Sequence, residues 1–222
     1  EKIFILQGTR GEFEKELRGK LKGLNIPLQF VPKEKLNRMT TGNHQGIVAF
    51  VSAVTYYELE DVLPGIFEKS GNPLILFLDR VTDVRNLGAI ARSAEVLGAD
   101  AIVVPSRGSA LITPDAVKAS AGALARIPLC RVPSLVNALE LAQMSGIRIF
   151  SSELGGSTRL QDLDLSVPLA FIIGSEEEGV SPAVSAMADE RFYIEQSGST
   201  DSLNVSVATG IMLYEVSRQR SL

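Results

Sequence analysis

Residues 74–105 read LILFLDRVTDVRNLGAIARSAEVLGADAIVVP, and the changes of period within this stretch decide the fold. LILFLD, residues 74–79, is a continuous apolar run closed by a carboxylate. A strand without polar alternation is buried on both faces, as in a parallel sheet covered by helices. NLGAIARSAEVLG, residues 86–98, switches to helical spacing, with Leu87, Ile90, Ala94 and Leu97 on one face and Gly98 as a stop. AIVVP, residues 101–105, is again a strand.

Downstream the alternation continues. Pro114 opens a helix to about Ala125, and IPLCRV is a strand. Ser134 caps a helix to Met144, and the strands RIFSSE and LAFIIGS follow. Pro182–Met187 is a short helix, RFYIE a strand, and the last helix runs to about Arg218. Such alternation predicts an α/β fold, a parallel sheet with helices on both faces, over residues 73–222. Upstream, the pattern predicts strand Ile3–Leu6, helix Glu12–Lys22, strand Leu28–Val31, helix Lys33–Met39 and strand Ile47–Val51, a small α/β domain over residues 1–52. Residues 53–72 read as a linker, with a weak helix around Tyr57–Val62 and turns at Pro64-Gly65 and Gly71-Asn72-Pro73.

The chain of 222 residues is long enough for a substantial core, and no apolar run reaches the roughly 18 residues of a membrane span. The N-terminus carries no signal-peptide pattern. One cysteine excludes an internal disulfide and fits a reducing compartment, so the expected location is cytoplasmic. With one Cys and one His, no structural zinc site is available from those residues. Cys130, in the run Ile127-Pro128-Leu129-Cys130, reads as a buried strand thiol.

The net charge of −4 is unevenly spread. Residues 1–50 hold nine Lys/Arg against five Glu, a net of +4, and the remainder holds thirteen against twenty-one acids, a net of −8. A basic lobe on an acidic body points to a polyanionic partner, with Arg10, Lys20, Lys22, Arg38 and His44, and Arg85 beyond it, as candidate contacts. The plainer reading of EFEKELRGKLKG, residues 12–23, is a salt-laced helix face.

Ligands of parallel α/β sheets bind beyond the C-terminal ends of strands. Four segments occupy such ends: LDRVTDVRNLG, SSELGGS, FIIGSEEEG and YIEQSGSTDSLN. No G-x-G-x-x-G follows a strand, which opposes a dinucleotide fold. Gly174 and Gly179 have phosphate-loop spacing, but no Lys follows and Glu176-Glu177-Glu178 would repel phosphate. An acidic, Gly-flanked turn suits a ligand with a positive centre. Arg92 stands among the small or apolar Ala89, Ile90, Ala91 and Ala94, a setting that calls for a carboxylate or a phosphate.

LDRVTDVRNLGAIARSAEVLGAD, LAFIIGSEEEGVS and YIEQSGSTDSLNVSVATGIMLYE resemble, in order, the three motifs of the SpoU/TrmH branch of the SPOUT RNA methyltransferases, a likeness spanning about residues 74–222. Residues 1–50, ending NHQGIVAFV, resemble the ribosomal-protein-like RNA-binding domain of RlmB-type members, without its first helix. The resemblance implies a SPOUT fold whose C-terminal part is threaded into a trefoil knot, and a homodimer formed through it. It implies transfer of a methyl group from S-adenosylmethionine to a ribose 2′-hydroxyl, with no metal. Carried over by position, Asn86, Arg92, Glu176, Ser202 and Asn204 are the expected catalytic residues, and Glu153, Gly155, Gly174, Ile194, Ser202 and Leu203 the expected cofactor contacts. The chain departs from the family at Val84, where Pro is usual, at Ser175, often Asn, and at Glu195-Gln196, usually Pro-Met.

By resemblance the RNA is 23S rRNA, with guanosine favoured, ahead of tRNA. The rival readings are a non-catalytic RNA-binding protein and, more distantly, a sugar-nucleotide or NAD-dependent enzyme. The family assigns Arg92 as the base. A guanidinium is a poor base near neutral pH, so an equal reading has Arg92 anchoring a phosphate while water or phosphate takes the proton.

Overall fold

The computed structural model describes residues 2–22, 26–51, 54–110, 112–198 and 202–221. The junction at residues 52–53 and most of the Gly198–Asp201 loop expected from the sequence lie outside them. The chain divides into two compact units, residues 1–52 and 53–222.

The N-terminal unit holds β1 (Lys2–Leu6), α1 (Glu12–Leu21), β2 (Leu28–Val31), α2 (Lys33–Met39) and β3 (Ile47–Phe50). Its sheet has the order β2-β1-β3, with β1 parallel to β2 and antiparallel to β3. Phe4, Val31 and Leu36 form its buried centre, and Phe50 meets Phe4 edge-on at 5.7 Å between ring centroids. Helix α1 buries no residue, and its surface carries Glu14–Arg18 and Glu16–Lys20 ion pairs at i,i+4 spacing.

The second unit comprises β4 (Tyr56–Tyr57), α3 (Leu59–Ser70), β5 (Leu74–Leu78), α4 (Val84–Val96), β6 (Ala101–Pro105) and α5 (Pro114–Ala119). It continues with β7 (Leu129–Val132), α6 (Leu135–Met144), β8 (Arg148–Ser152), β9 (Thr158–Arg159), β10 (Leu169–Ile173), α7 (Pro182–Ser185), β11 (Glu190–Tyr193) and α8 (Val205–Arg220). Its sheet is parallel, in the order β4-β7-β6-β5-β10-β8-β11-β9. Period-2 geometry splits the core in two. Leu74, Leu76 and Leu78 of β5, with Leu169, Phe171 and Ile173 of β10, face the side covered by α4, α5 and α8. Ile75 and Phe77, with Ala170 and Ile172, face the side of α3 and α6. The first half of the chain builds one side of the sheet and the second half the other, so β5 and β10 meet at the point where strand order reverses.

Caps fix the helices locally. Asp83 Oδ1 accepts from the backbone N–H of Arg85 and Asn86 at 2.8 and 2.9 Å, and Ser134 Oγ caps α6 by accepting from Asn137 N at 3.3 Å. Four elements differ from expectation. The segment read as a linker carries β4 and a full helix, α3, which runs through Pro64-Gly65. Its apolar stripe of Leu59, Leu63 and Ile66 is buried against the sheet, while Pro64 lies on the solvent face, where the hydrogen bond it cannot donate costs least. Helix α5 stops at Ala119, not near Ala125, because Ala121 and Gly122 adopt positive φ before a separate 3₁₀ turn, Ala123–Ala125. The two-residue strands β4 and β9 are too short to leave a period in the sequence.

The far end of α8 is fastened by hydrogen bonds. Arg220 donates to the carbonyl oxygens of Leu165, Asn72, Pro73 and Val167 and to Asn72 Oδ1, and Gln219 donates to the Leu163 carbonyl. No helix of the described residues is long and apolar enough to cross a membrane.

Candidate active site

Because the strands are parallel, the ends of β5, β10, β8 and β11 share one edge of the sheet. A cavity of about 670 Å³ opens there, within the usual size range of small-molecule sites. Segments after β8, β10 and β11 and the start of α8 line it. All six residues expected at the cofactor, Glu153, Gly155, Gly174, Ile194, Ser202 and Leu203, stand in its wall, as does Glu176. Ile173, Val205 and Met212 supply apolar surface.

Close backbone approach shapes the wall. A Cβ placed on Gly174 would lie 2.1 Å from the Gly179 carbonyl carbon, so only glycine lets the turn close. The turn is held by reciprocal Ser175–Gly179 backbone bonds of 3.0 and 3.1 Å, and Gly179 itself has φ +65°. Behind it, buried Asp79 accepts from Ser181 N at 2.7 Å. Arg80, itself at φ +60°, donates to the Gly179 carbonyl at 3.2 Å and pairs with Glu178. The three-Glu run of the sequence is thus divided in role: Glu178 braces the turn and Glu176 faces the site.

Glu176, Asn86 and Asn204 come together from three segments. Asn204 Nδ2 donates to Asn86 Oδ1 at 3.1 Å and to Glu176 Oε1, which also accepts from Val205 N at 3.3 Å. Asn204 Oδ1 caps α8, accepting from the backbone N–H of Ser206 at 3.0 Å and Val207 at 3.4 Å and from Ser206 Oγ at 2.6 Å. These bonds orient the amide, and they occupy both hydrogens and the oxygen of Asn204. The groups left without a partner among the described residues are Asn86 Nδ2 and Glu176 Oε2. Asn204 is therefore fully bonded, while Asn86 and Glu176 each keep a polar group to offer.

Glu153 is likewise committed. Its Oε1 accepts from Ser151 Oγ and Ser185 Oγ, each at 2.6 Å, with Arg191 Nε at 3.7 Å. Ser151, Ser185 and Arg191 were not singled out from the sequence, since nothing in their spacing marks them. Glu153 and Gly155 thus stand in the cavity wall with the Glu153 carboxylate and backbone already bonded. Arg92 is exposed on α4, has no hydrogen-bond or ion-pair partner among the described residues, and is not part of the cavity wall.

Of the expected RNA contacts, Arg10, Lys22, Arg38 and Arg85 have exposed side chains without a partner among the described residues. Lys20 is paired with Glu16 at 2.8 Å. His44 Nδ1 lies 3.0 Å from Gly46 N and its Nε2 2.9 Å from Asn37 Oδ1, both at hydrogen-bond distance. It staples its own loop. Cys130 is buried, and burial pushes its thiol up to about 12. No cluster of three or more metal-ligating side chains occurs among the described residues.

Fold and site define a parallel α/β unit of the SPOUT type, with a ligand cavity at the strand-order reversal and a polar trio on its rim. The chain belongs to the SpoU rRNA methylase family, whose pattern matches residues 73–214, and residues 1–57 match the RNA 2′-O ribose methyltransferase substrate-binding domain. It is thus an RNA methyltransferase of the SpoU/TrmH type. It is 40% identical over 196 residues to YacO of Bacillus subtilis, assigned to the TrmH family of tRNA/rRNA methyltransferases, covering 88% of this chain and 79% of that protein. The SpoU methyltransferase AviRb of Streptomyces viridochromogenes, solved in complex with AdoMet, superposes with a TM-score of 0.64 at 25% identity, over 99% of this chain and 83% of that one. A TrmH/SpoU tRNA-modifying enzyme of A. aeolicus aligns at 31% identity and a TM-score of 0.63, over 73% of this chain and 84% of its own.

Proposed function

We propose that the protein methylates a ribose 2′-hydroxyl of structured RNA, with 23S rRNA as the substrate and S-adenosylmethionine as the donor. One observation carries this reading. The Asn86–Asn204–Glu176 trio offers one free amide NH2 group and one free carboxylate oxygen beside a cavity with an apolar floor and an acidic mouth. That suits a cationic donor on one side and a hydroxyl on the other.

The cavity fits the donor by chemistry as well as size. Among the described residues, the backbone of Ile194, Gln196 and Leu203 makes no hydrogen bonds, so its polar groups are available to a purine edge. The side chains of Leu203, Ile194 and Met212 supply apolar surface for a ring. Gln196, where the family usually has Met, adds an amide to that wall. When bound, the donor supplies an electrophilic methyl group for in-line displacement.

The remaining work is positional. Asn86 Nδ2 orients the ribose oxygen, Glu176 Oε2 faces positive charge, and Asn204 holds both in place by bonds that also start α8. Holding reactants in line is worth on the order of 7–11 kcal/mol at best. Arg92 anchors the RNA phosphate next to the target ribose, since a free guanidinium is suited to that task and not to taking a proton. The proton leaves to water or to that phosphate.

A second copy of the chain covers the outer face of α8 in this proposal. Val207, Ile211 and Tyr214, at i,i+4,i+7 spacing, are 51%, 37% and 62% exposed there. The C-terminal threading implied by the resemblance is supported by the fastening of Gln219 and Arg220 to residues 163–167 and 72–73.

The test is to incubate the protein with labelled S-adenosylmethionine and, in separate reactions, a 23S rRNA transcript and tRNA, then hydrolyse the RNA with alkali. Label in an alkali-resistant dinucleotide places the methyl on the 2′-oxygen. Label in a mononucleotide refutes the ribose assignment, and label in tRNA alone refutes the 23S assignment.

A further inference from the structure

Thirteen Lys and Arg residues lie in residues 53–222, and most are spent within the protein. Arg80, Arg126, Arg148, Arg159, Arg191 and Arg218 pair with carboxylates. Arg131 and Arg220 donate to backbone carbonyls. Among the described residues, Lys69, Arg85, Arg92, Arg107 and Lys118 have neither an ion pair nor a side-chain hydrogen bond. Four of these stand on segments that pack against one another, and Lys69 lies near the opposite edge of the sheet, at the end of α3.

The gathering follows from tertiary bonds. Ala110 N donates to the Val81 carbonyl at 2.9 Å, which lays the loop bearing Arg107 against the loop that leads to Arg85. Arg131 pins the carbonyl of Ser106, the residue before Arg107, at 3.1 Å. On the helices, a Cβ at Gly88 would stand 2.7 Å from Ala119 Cβ, so α5 rides on α4 between Arg85 and Arg92, with Lys118 beside the contact. Neither acid close by forms an ion pair with these cations among the described residues: Asp83 Oδ1 is bonded to the backbone of α4, and Asp115 has no ion pair. Sheet order puts the ends of β5 and β6 next to the cavity, on the side away from β8.

We infer that Arg107 and Lys118, with Arg85, form a phosphate-binding strip on the catalytic unit itself, along which the substrate RNA leaves the active site. The identity of the polyanion rests on the methyltransferase reading above. Neither Arg107 nor Lys118 touches the cavity, so they act on RNA affinity and not on the donor or the chemical step.

The experiment compares the full chain with R107A/K118A and with K69A, measuring affinity for a 23S rRNA transcript across a salt series, and then kcat and KM. For the double variant, the slope of log affinity against log salt falls by about 1.4–1.8. Affinity weakens roughly tenfold near 0.1 M salt, and KM for RNA rises in step with kcat unchanged. K69A behaves as the unmodified protein. A double variant with unchanged affinity and slope overturns the strip, as does an equal loss in K69A. If the unmodified protein transfers no methyl group while the binding differences appear as stated, the enzymatic reading fails and the strip stands.

Discussion

Asn204 Nδ2 donates to Asn86 Oδ1 across 3.1 Å, joining two helix starts that are 118 residues apart in sequence. The same nitrogen holds Glu176, and the oxygen of the same amide caps α8. One side chain therefore both begins the last helix and sets the spacing of the site.

These two roles separate by substitution. Asn204→Ser keeps a capping oxygen but loses both amide N–H bonds. Its melting temperature should fall by no more than a few degrees, the equivalent of about 1 kcal/mol. Its methyl transfer should fall by roughly a hundredfold or more, as expected when positioning is lost. Asn204→Asp should lose activity at least as fully, because a carboxylate would face Glu176. A serine variant with full activity would show that the bridge is not needed.

Arg92→Ala should abolish methyl transfer while leaving both thermal stability and S-adenosylmethionine binding by calorimetry unchanged. The side chain is exposed, without a partner among the described residues, and outside the cavity wall, so its removal disturbs no packing. Lysine at the same position should restore part of the activity, since it keeps the charge without the fork. A loss of donor affinity in Arg92→Ala would contradict the phosphate-anchor role.

Gly174→Ala should behave in the opposite way. The added methyl would stand 2.1 Å from backbone that cannot swing aside, so the turn bearing Glu176 must open. Donor binding should drop below detection in calorimetry. The urea midpoint should fall as well, because Ser175–Gly179 pairing and the Arg80 brace are lost together.

Arg220→Ala should lower stability by about 2–4 kcal/mol in urea denaturation, by leaving several part-buried oxygens short of a donor. Arg220→Lys should recover only part of this, since one ammonium cannot reach residues 72–73 and 165–167 at once.

Cys130 should resist thiol reagents at pH 8 in the native protein and react promptly in denaturant. Its thiol is buried and held up to about 12, so almost no thiolate is present. Fast native labelling would mean that the sheet opens at β7.

Local chemistry was legible along most of the chain. The unbroken run Leu74–Leu78 announces a strand covered on both faces, and Ser134 marks a helix start. Pro64-Gly65 misled because a proline reads as a stop unless the burial of Leu63 and Ile66 beyond it is known. His44 read as a free contact because its bonds to Asn37 and Gly46 depend on a loop shape that no spacing encodes.

The sequence by itself determined most of the strands and helices, though not β4, α3 or β9, and which side chains of unusual chemistry stand at strand ends, since these follow from period, caps and composition within a few residues. Only the tertiary structure decided that β10 inserts between β5 and β8. That placement sets Glu176 beside Asn86 and Asn204, turns Arg80 onto the Glu176–Gly179 turn, and ties Glu153 to Ser185. Such pairings are decided by burial and by the satisfaction of polar groups far apart in sequence. They show what residue identity could not: the Asn204 amide is fully bonded, while Asn86 Nδ2, Glu176 Oε2 and the Arg92 guanidinium have no partner among the described residues.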